Sequence, residues 1–165
     1  VKALSLWQPW ASLVALSVKT IETRHWETKY RGPLAIHAAK RRAQFADMKQ
    51  VVGDQVDAWE AWYKAGYVSE DGETDDMPYG AVVATCELLY CAPVLMHCSS
   101  SVCVVPESDG LWLYNPGTGR GADIDKQRPF GDFTLGRYAW VLGNIKLVDP
   151  PVPATGHQGL WEWAA

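Results

Sequence analysis

Apolar and polar positions alternate through Val1 to Trp7 (VKALSLW), which predicts a first strand. Pro9 then sits where a first helical turn tolerates proline, and Trp10, Leu13, Val14 and Leu16 follow at helical spacing, so a short helix from about Pro9 to Ser17 is expected. From Thr20 to Trp26 the period returns to two. Thr20, Glu22, Arg24 and Trp26 share one face of that strand, and Ile21, Thr23 and His25 share the other. A turn at Arg31-Gly32-Pro33 leads into a buried strand over Leu34 to Ala38, with His37 and Lys40 at its end.

From Arg42 to about Ala65, Phe45, Met48, Val52, Gln55, Trp59 and Trp62 recur at three and four residues, the pattern of a long amphipathic helix weakened at Gly53. Ser69 to Gly80 reads as an acidic solvated loop, and Ala81 to Tyr90 as the strongest strand, carrying Glu87. Beyond Ala92 the signals weaken. Leu111 to Tyr114 predicts a strand, and the Gly/Pro/Asp-rich stretch from Asn115 to Asp132 predicts a long loop, mobile or a lid. Its glycines at 117, 119 and 121 lack the preceding strand and following helix of a phosphate loop. A late strand is expected over Arg137 to Leu147, then a Pro-rich crossing into HQGLWEW. Strands outnumber helices without regular alternation, which predicts one compact α+β domain over residues 1–165, built on a mostly antiparallel β-barrel.

Composition narrows the function. With 48% apolar and 21% charged residues the chain is an ordinary globular sequence, and nine tryptophans are its one excess. Trp fills cores, but it also offers flat faces to bases. The absence of a signal-peptide pattern and of a long apolar run predicts a soluble, cytoplasmic protein with no membrane contact. Cys86, Cys91, Cys98 and Cys103 have no zinc-like spacing, so they are expected to be small buried hydrophobes, with neither disulfides nor metal. The net charge of −4 is uneven. Residues 1–42 hold eight basic side chains against Glu22 and Glu27, or +6, and the remainder carries −10. A basic segment on an acidic protein predicts an anionic or phosphate-bearing partner held at one place.

The densest chemistry lies in SVKTIETRHW, Ser17 to Trp26. Lys19 next to Glu22 and Arg24 on a half-buried strand fits a site whose lysine is tuned toward neutrality, though composition alone favours a ladder of surface ion pairs. Within LSLWQPWASLVALSVKTIETRHWETKYRGPLAIHAAK, Leu4 to Lys40, the pattern Gly-x-Lys-x-x-Glu-x-Arg is met by Lys19, Glu22 and Arg24, with Ser17 where the glycine is expected. This stretch resembles the opening of an ASCH domain, of the PUA-like superfamily; GAVVATCELLYC, GDFTLGRYAWVL and HQGLWEW continue the likeness.

The resemblance implies a small β-barrel with flanking helices and a cleft for a base or a single strand. It implies two functions. One is a metal-independent amidohydrolase, without cofactor, that removes acyl groups from N4-acylated cytosines such as N4-acetylcytidine. There Lys19 stabilises the oxyanion or activates the nucleophile, Glu22 positions the attacking water, Arg24 holds Glu22, and Glu87 passes a proton to the leaving amine. The smallest relatives of this kind carry a threonine at the Glu22 position, so water is the expected nucleophile unless Thr20 or Thr23 substitutes. Substrate-binding candidates are Trp7, Trp26, Tyr30 and Tyr138 as stacking faces, with His37 and Lys40. The alternative is a module binding RNA or single-stranded DNA, in which Lys19, Arg24, Lys40, Arg41 and Arg42 meet phosphates. The acidic pI tips the expectation toward the enzyme.

Overall fold

The computed structural model of the chain describes residues 1–43, 56–67, 76–96, 103–107, 110–115 and 119–164. It is strand-rich α+β: nine strands and two short α-helices among the described residues, in the order β1 (Lys2–Leu6), α1 (Trp10–Ala15), β2 (Ile21–Arg24), β3 (Gly32–Ala38), α2 (Val56–Lys64), β4 (Ala81–Pro93), β5 (Cys103–Glu107), β6 (Gly110–Asn115), β7 (Gly119–Asp123), β8 (Tyr138–Pro153) and β9 (Leu160–Glu162). The chain divides into two units. The first comprises Val1–Lys19, Pro33–Glu87 and Asn144–Ala165, and the second Thr20–Gly32 and Leu88–Gly143.

In the first unit β1 buries Leu4 and Leu6 on one face and Ala3 on the other. That strand runs parallel to β3, Lys2 opposite Leu34 through Leu6 opposite Ala38, and antiparallel to β9, with Ala3 opposite Trp161. Ala3, Ala35 and Val82 form a small core on which Val148, Ala154, Trp161 and Trp163 pack. The chain's tryptophan-rich tail is therefore a structural wall.

Helix α1 has no side chain cap at Pro9, but the buried Gln8 supplies one: its Oε1 accepts the Ser12 N–H at 3.0 Å, while its Nε2 donates to Ser12 Oγ and Pro78 O. The helix stops because Ser17 turns left-handed, φ 62°, so that the Val18 and Lys19 N–H groups both fold back onto Leu13 O at 3.0 Å. A serine there costs about 1 kcal/mol relative to glycine.

The long helix expected over residues 42–65 is described only from Val56, where Ala58 and Trp62 are buried; Phe45, Met48, Val52 and Gln55 lie outside the described residues. Most of the expected acidic loop, residues 69–75, does too.

In the second unit β2 pairs antiparallel with β8, and β5, β6 and β7 form a three-stranded antiparallel sheet. Ile21, Val94, Val104, Leu111, Phe133 and Ala139 are the heart of its core. Three expectations fail. The stretch expected to be a long mobile loop instead contains β7 and a 3-10 helix, Asp125–Phe130. That segment is tied down: Gln127 Oε1 accepts the Thr20 and Ile21 N–H groups at 2.7 and 3.2 Å, and the Asp132 N–H donates to Thr23 Oγ1 at 2.9 Å. These bonds satisfy the backbone N–H groups at the buried start of β2, which is why a sequence poor in apolar residues is nonetheless ordered. Cys103 is disulfide-bonded, against the expectation of four thiols, whereas Cys86 and Cys91 are free and buried. Strand β8 also runs on through Pro150, Pro151 and Pro153 instead of ending near Leu147, since proline's fixed φ suits an extended chain and costs only its N–H.

No helix among the described residues is long and apolar enough to cross a membrane.

Candidate functional site

The register of β2 on β8 sets Glu22 opposite Trp140 and Arg24 opposite Tyr138, so these four side chains share one face of the second unit. Arg24 Nε stands 3.1 Å from Glu22 Oε1, with the carboxylate buried and the guanidinium half-buried. An ion pair this sheltered holds its geometry better than a surface pair, because water competes less for either charge. Trp26 continues the face and lays its ring edge-on to Trp140 at 4.6 Å, so part of its surface is spent on packing. Tyr30 is half-buried in a short loop whose N–H bonds Thr28 Oγ1 at 3.1 Å. Thr23 faces the other way, and its Oγ1 already accepts the Asp132 N–H.

Lys19 belongs to the first unit and is only 1% exposed. A lysine with its ammonium withdrawn from water is not a surface phosphate contact. Glu87, on β4, accepts a hydrogen bond from Asn144 Nδ2 at 2.9 Å, and Asn144 is itself left-handed at φ 51°.

The first unit also contains a cavity of about 320 Å³. Ser5, His37 and Lys40 line one side and the Thr155–Gln158 turn the other. Its back wall is a hydrogen-bonded chain with one consistent proton arrangement. His37 Nε2 lies 3.2 Å from Ala154 O, a pure acceptor, so Nε2 carries the proton. Nδ1 then accepts from Ser5 Oγ at 3.2 Å, and Ser5 Oγ in turn accepts the Trp161 Nε1–H at 3.2 Å. Burial, first, and the nearby His157 and Lys40 push the His37 pKa below 6.5, against the opposing pull of the Ala154 carbonyl. The ring therefore stays neutral at pH 7. Trp161 braces both histidine rings edge-on, His37 at 5.6 Å and His157 at 5.3 Å.

Lys40 lies at the mouth with its aliphatic stem across the backbone of Gly80, a left-handed glycine at φ 63° where a Cβ would stand 3.0 Å from Lys40 Cγ. Past it the chain presents two more cations on aromatic rings. The Arg41 guanidinium lies 4.5 Å from the ring centre of Trp7, which is 56% exposed, and that of Arg42 lies 5.6 Å from Tyr79. The ten sequence candidates thus divide by unit: Trp7, Lys19, His37, Lys40 and Glu87 in the first, Glu22, Arg24, Trp26, Tyr30 and Tyr138 in the second. Among the described residues no group of three or more His, Cys, Asp or Glu side chains is placed to hold a metal ion.

Residues 4–90, the stretch containing the lysine, the Glu22–Arg24 pair and the basic end of β3, match the family model of the ASCH domain. The chain belongs to the ASCH domain family. Over 111 residues this ASCH domain is 26% identical to Activating signal cointegrator 1 of Mus musculus, an alignment that takes in 67% of the chain and 18% of that protein. The chain thus spans less than a fifth of that relative's length. Its PUA-like, strand-rich architecture agrees with the family, and membership points to RNA binding or a related function.

Sequence reasoning about the ASCH domain missed Ser5, Gly156, His157 and Trp161. Ser5 and His37 come together only because β1 and β3 run parallel with those residues in register. His157 and Trp161 arrive from the far end of the chain. The one local signal was a histidine between two glycines, Gly156 to Gly159, after a proline run.

Proposed function

We propose that this ASCH domain is a module that binds single-stranded nucleic acid, RNA in the first instance, along the basic end of β3. The observation that carries this reading is the pair of guanidinium–aromatic stacks, Arg41 on Trp7 and Arg42 on Tyr79. A flat cation on an exposed indole offers a charge to a phosphate and a face to a base, the two things single-strand binders combine. Two phosphates neutralised on a single strand give a log–log salt slope of about −1.4. Fluorescence anisotropy with a labelled single-stranded oligoribonucleotide over a range of salt tests this. Arg41→Ala and Trp7→Ala should each weaken binding by about tenfold. Binding that ignores salt, or none at micromolar protein, refutes it.

A second reading is favoured by the burial of Lys19 and of the Glu22–Arg24 pair, which suits chemistry in a dry setting better than contact with a strand. In it the protein hydrolyses N4-acylated cytosines without added metal, and Lys19, Glu22, Arg24 and Glu87 act as the family resemblance implies. Chromatography of N4-acetylcytidine incubated with the protein and a chelator tests this. Cytidine should form, and Lys19→Arg should abolish it, since arginine cannot deprotonate. No cytidine from any N4-acylated cytosine would end this reading.

A further inference from the structure

The cavity beside the basic edge is a built concavity of the first unit. Its back wall is fixed by three hydrogen bonds and a pair of edge-on aromatic contacts. Because both nitrogens of His37 are committed to Ser5 and Ala154, that ring holds the Thr155–Gln158 turn in place and leaves ligand contacts to other side chains. Those are the ammonium of Lys40, the imidazole of His157, the amide of Gln158 and the hydroxyl of Thr155. All can donate hydrogen bonds, Lys40 is a cation, and no carboxylate stands among the lining residues. In a protein of net charge −4, a concavity with that lining is electrostatically selected for an anion.

We propose that this cavity recognises a phosphate monoester, the terminal phosphate of a nucleotide or of a nucleic-acid strand. Donors arriving from two sides, β3 and the Thr155–Gln158 turn, suit the three free oxygens of a tetrahedral monoester better than the flat pair of a carboxylate. The monoester also carries about −1.5 to −2 at pH 7, more than a backbone diester, so the Lys40 ammonium discriminates an end from an internal phosphate. Its volume of about 320 Å³ leaves room for the attached sugar. Position agrees as well, because Lys40 immediately precedes Arg41 and Arg42 in the chain, so a strand lying on those two arginines can place its last phosphate at the cavity mouth.

The polymer part of this inference rests on the single-strand reading above; the site itself does not, and the experiment separates them. Calorimetry of the full chain in phosphate-free buffer compares cytidine with its 5′- and 3′-monophosphates and with inorganic phosphate. A monophosphate should bind at least about tenfold more tightly than the nucleoside. Lys40→Met, which keeps the stem over Gly80, and His157→Gln should each remove most of that difference while thermal melting shows the fold intact. Inorganic phosphate matching the nucleotide would identify the free ion as the ligand of the same site, and weaker binding would identify the nucleotide. Equal binding of nucleoside and monophosphate, or no binding by any of the four, overturns the proposal. In parallel, anisotropy compares one oligoribonucleotide with and without a terminal phosphate. Tight binding without preference for the phosphorylated end sinks the end-recognition claim and leaves the strand reading standing; monophosphate binding with no oligonucleotide binding does the reverse.

Discussion

Replacing Gly156 by alanine is the most direct test of the cavity wall. Gly156 has no left-handed φ, so the reason for glycine is space alone. A Cβ there would overlap His37 Cε1 and stand 2.5 Å from Nδ1 and 2.7 Å from Ser5 Oγ. The ring cannot retreat without breaking its bonds to Ser5 and Ala154 or its contact with Trp161. The backbone is little freer, because the Ala154 N–H is bound to Gly80 O at 3.0 Å. Something must give, and the cheapest loss is the Ala154 carbonyl, which leaves a buried imidazole N–H without a partner at about 1–3 kcal/mol. Residual overpacking adds about 1–3 kcal/mol. At roughly 2–4 °C per kcal/mol for a chain of this size, the sum of about 2–6 kcal/mol lowers Tm by about 4–24 °C. Gly159→Ala is the matched control, since a Cβ at 159 meets nothing within 4 Å and only φ 69° opposes it. That strain is about 1 kcal/mol, or a few degrees. Differential scanning calorimetry of the two variants and the parent decides the matter. A Gly156→Ala melting point within about 2 °C of the parent, or equal to that of Gly159→Ala, refutes the packing argument.

Two further outcomes are expected. His37 is held neutral in the fold but titrates at its ordinary value of 6.5 when unfolded, so the unfolded chain binds the extra proton first and stability is lost as pH falls below about 6.5 toward the lowered folded value. Urea melts of the parent and of His37→Gln should show the steeper loss in the parent between about pH 7 and pH 5; parallel profiles would refute it. Burial pushes the Cys86 thiol up to about 12 and also raises Cys91, whose sulfur accepts the Thr28 N–H at 3.4 Å. Both should resist iodoacetamide at about pH 8 until denaturant is added, and peptide mapping that finds either alkylated in the native protein contradicts the burial.

What the sequence made legible was periodic and local. Period two from Thr20 to Trp26 put Glu22, Arg24 and Trp26 on one face, and β2 keeps Glu22 and Arg24 there, opposite Trp140 and Tyr138. The helix before it, its stop at Ser17 and the strong strand at Ala81 were readable for the same reason: each depends on neighbours within a few residues. The losses were long-range. Gln127 holds the start of β2 from 106 and 107 residues away, and nothing near DKQRPF announces that its amide has a partner. The cavity required Ser5, His37 and His157 to meet through a parallel strand pair and a returning tail, a topology that periodicity does not encode.

Five of the eight basic side chains in residues 1–42 fall into two populations. Lys19 is almost wholly withdrawn from solvent and Arg24 is paired with a buried carboxylate, so neither is available to a polyanion. Lys40 lines the cavity, and Arg41 and Arg42 lie against aromatic rings. A charge of +6 over residues 1–42 therefore overstates the electrostatic footprint, and a strand binder built this way is a weak one that reads a few phosphates and a base or two. The same division says how an acidic protein would bind an anion under the proposed reading. Affinity would then come from three cations held over glycine, indole and phenol, not from a basic surface. A substitution that frees one of those cations while keeping its charge, such as Trp7→Ala under Arg41, should then cost affinity although the net charge is unchanged.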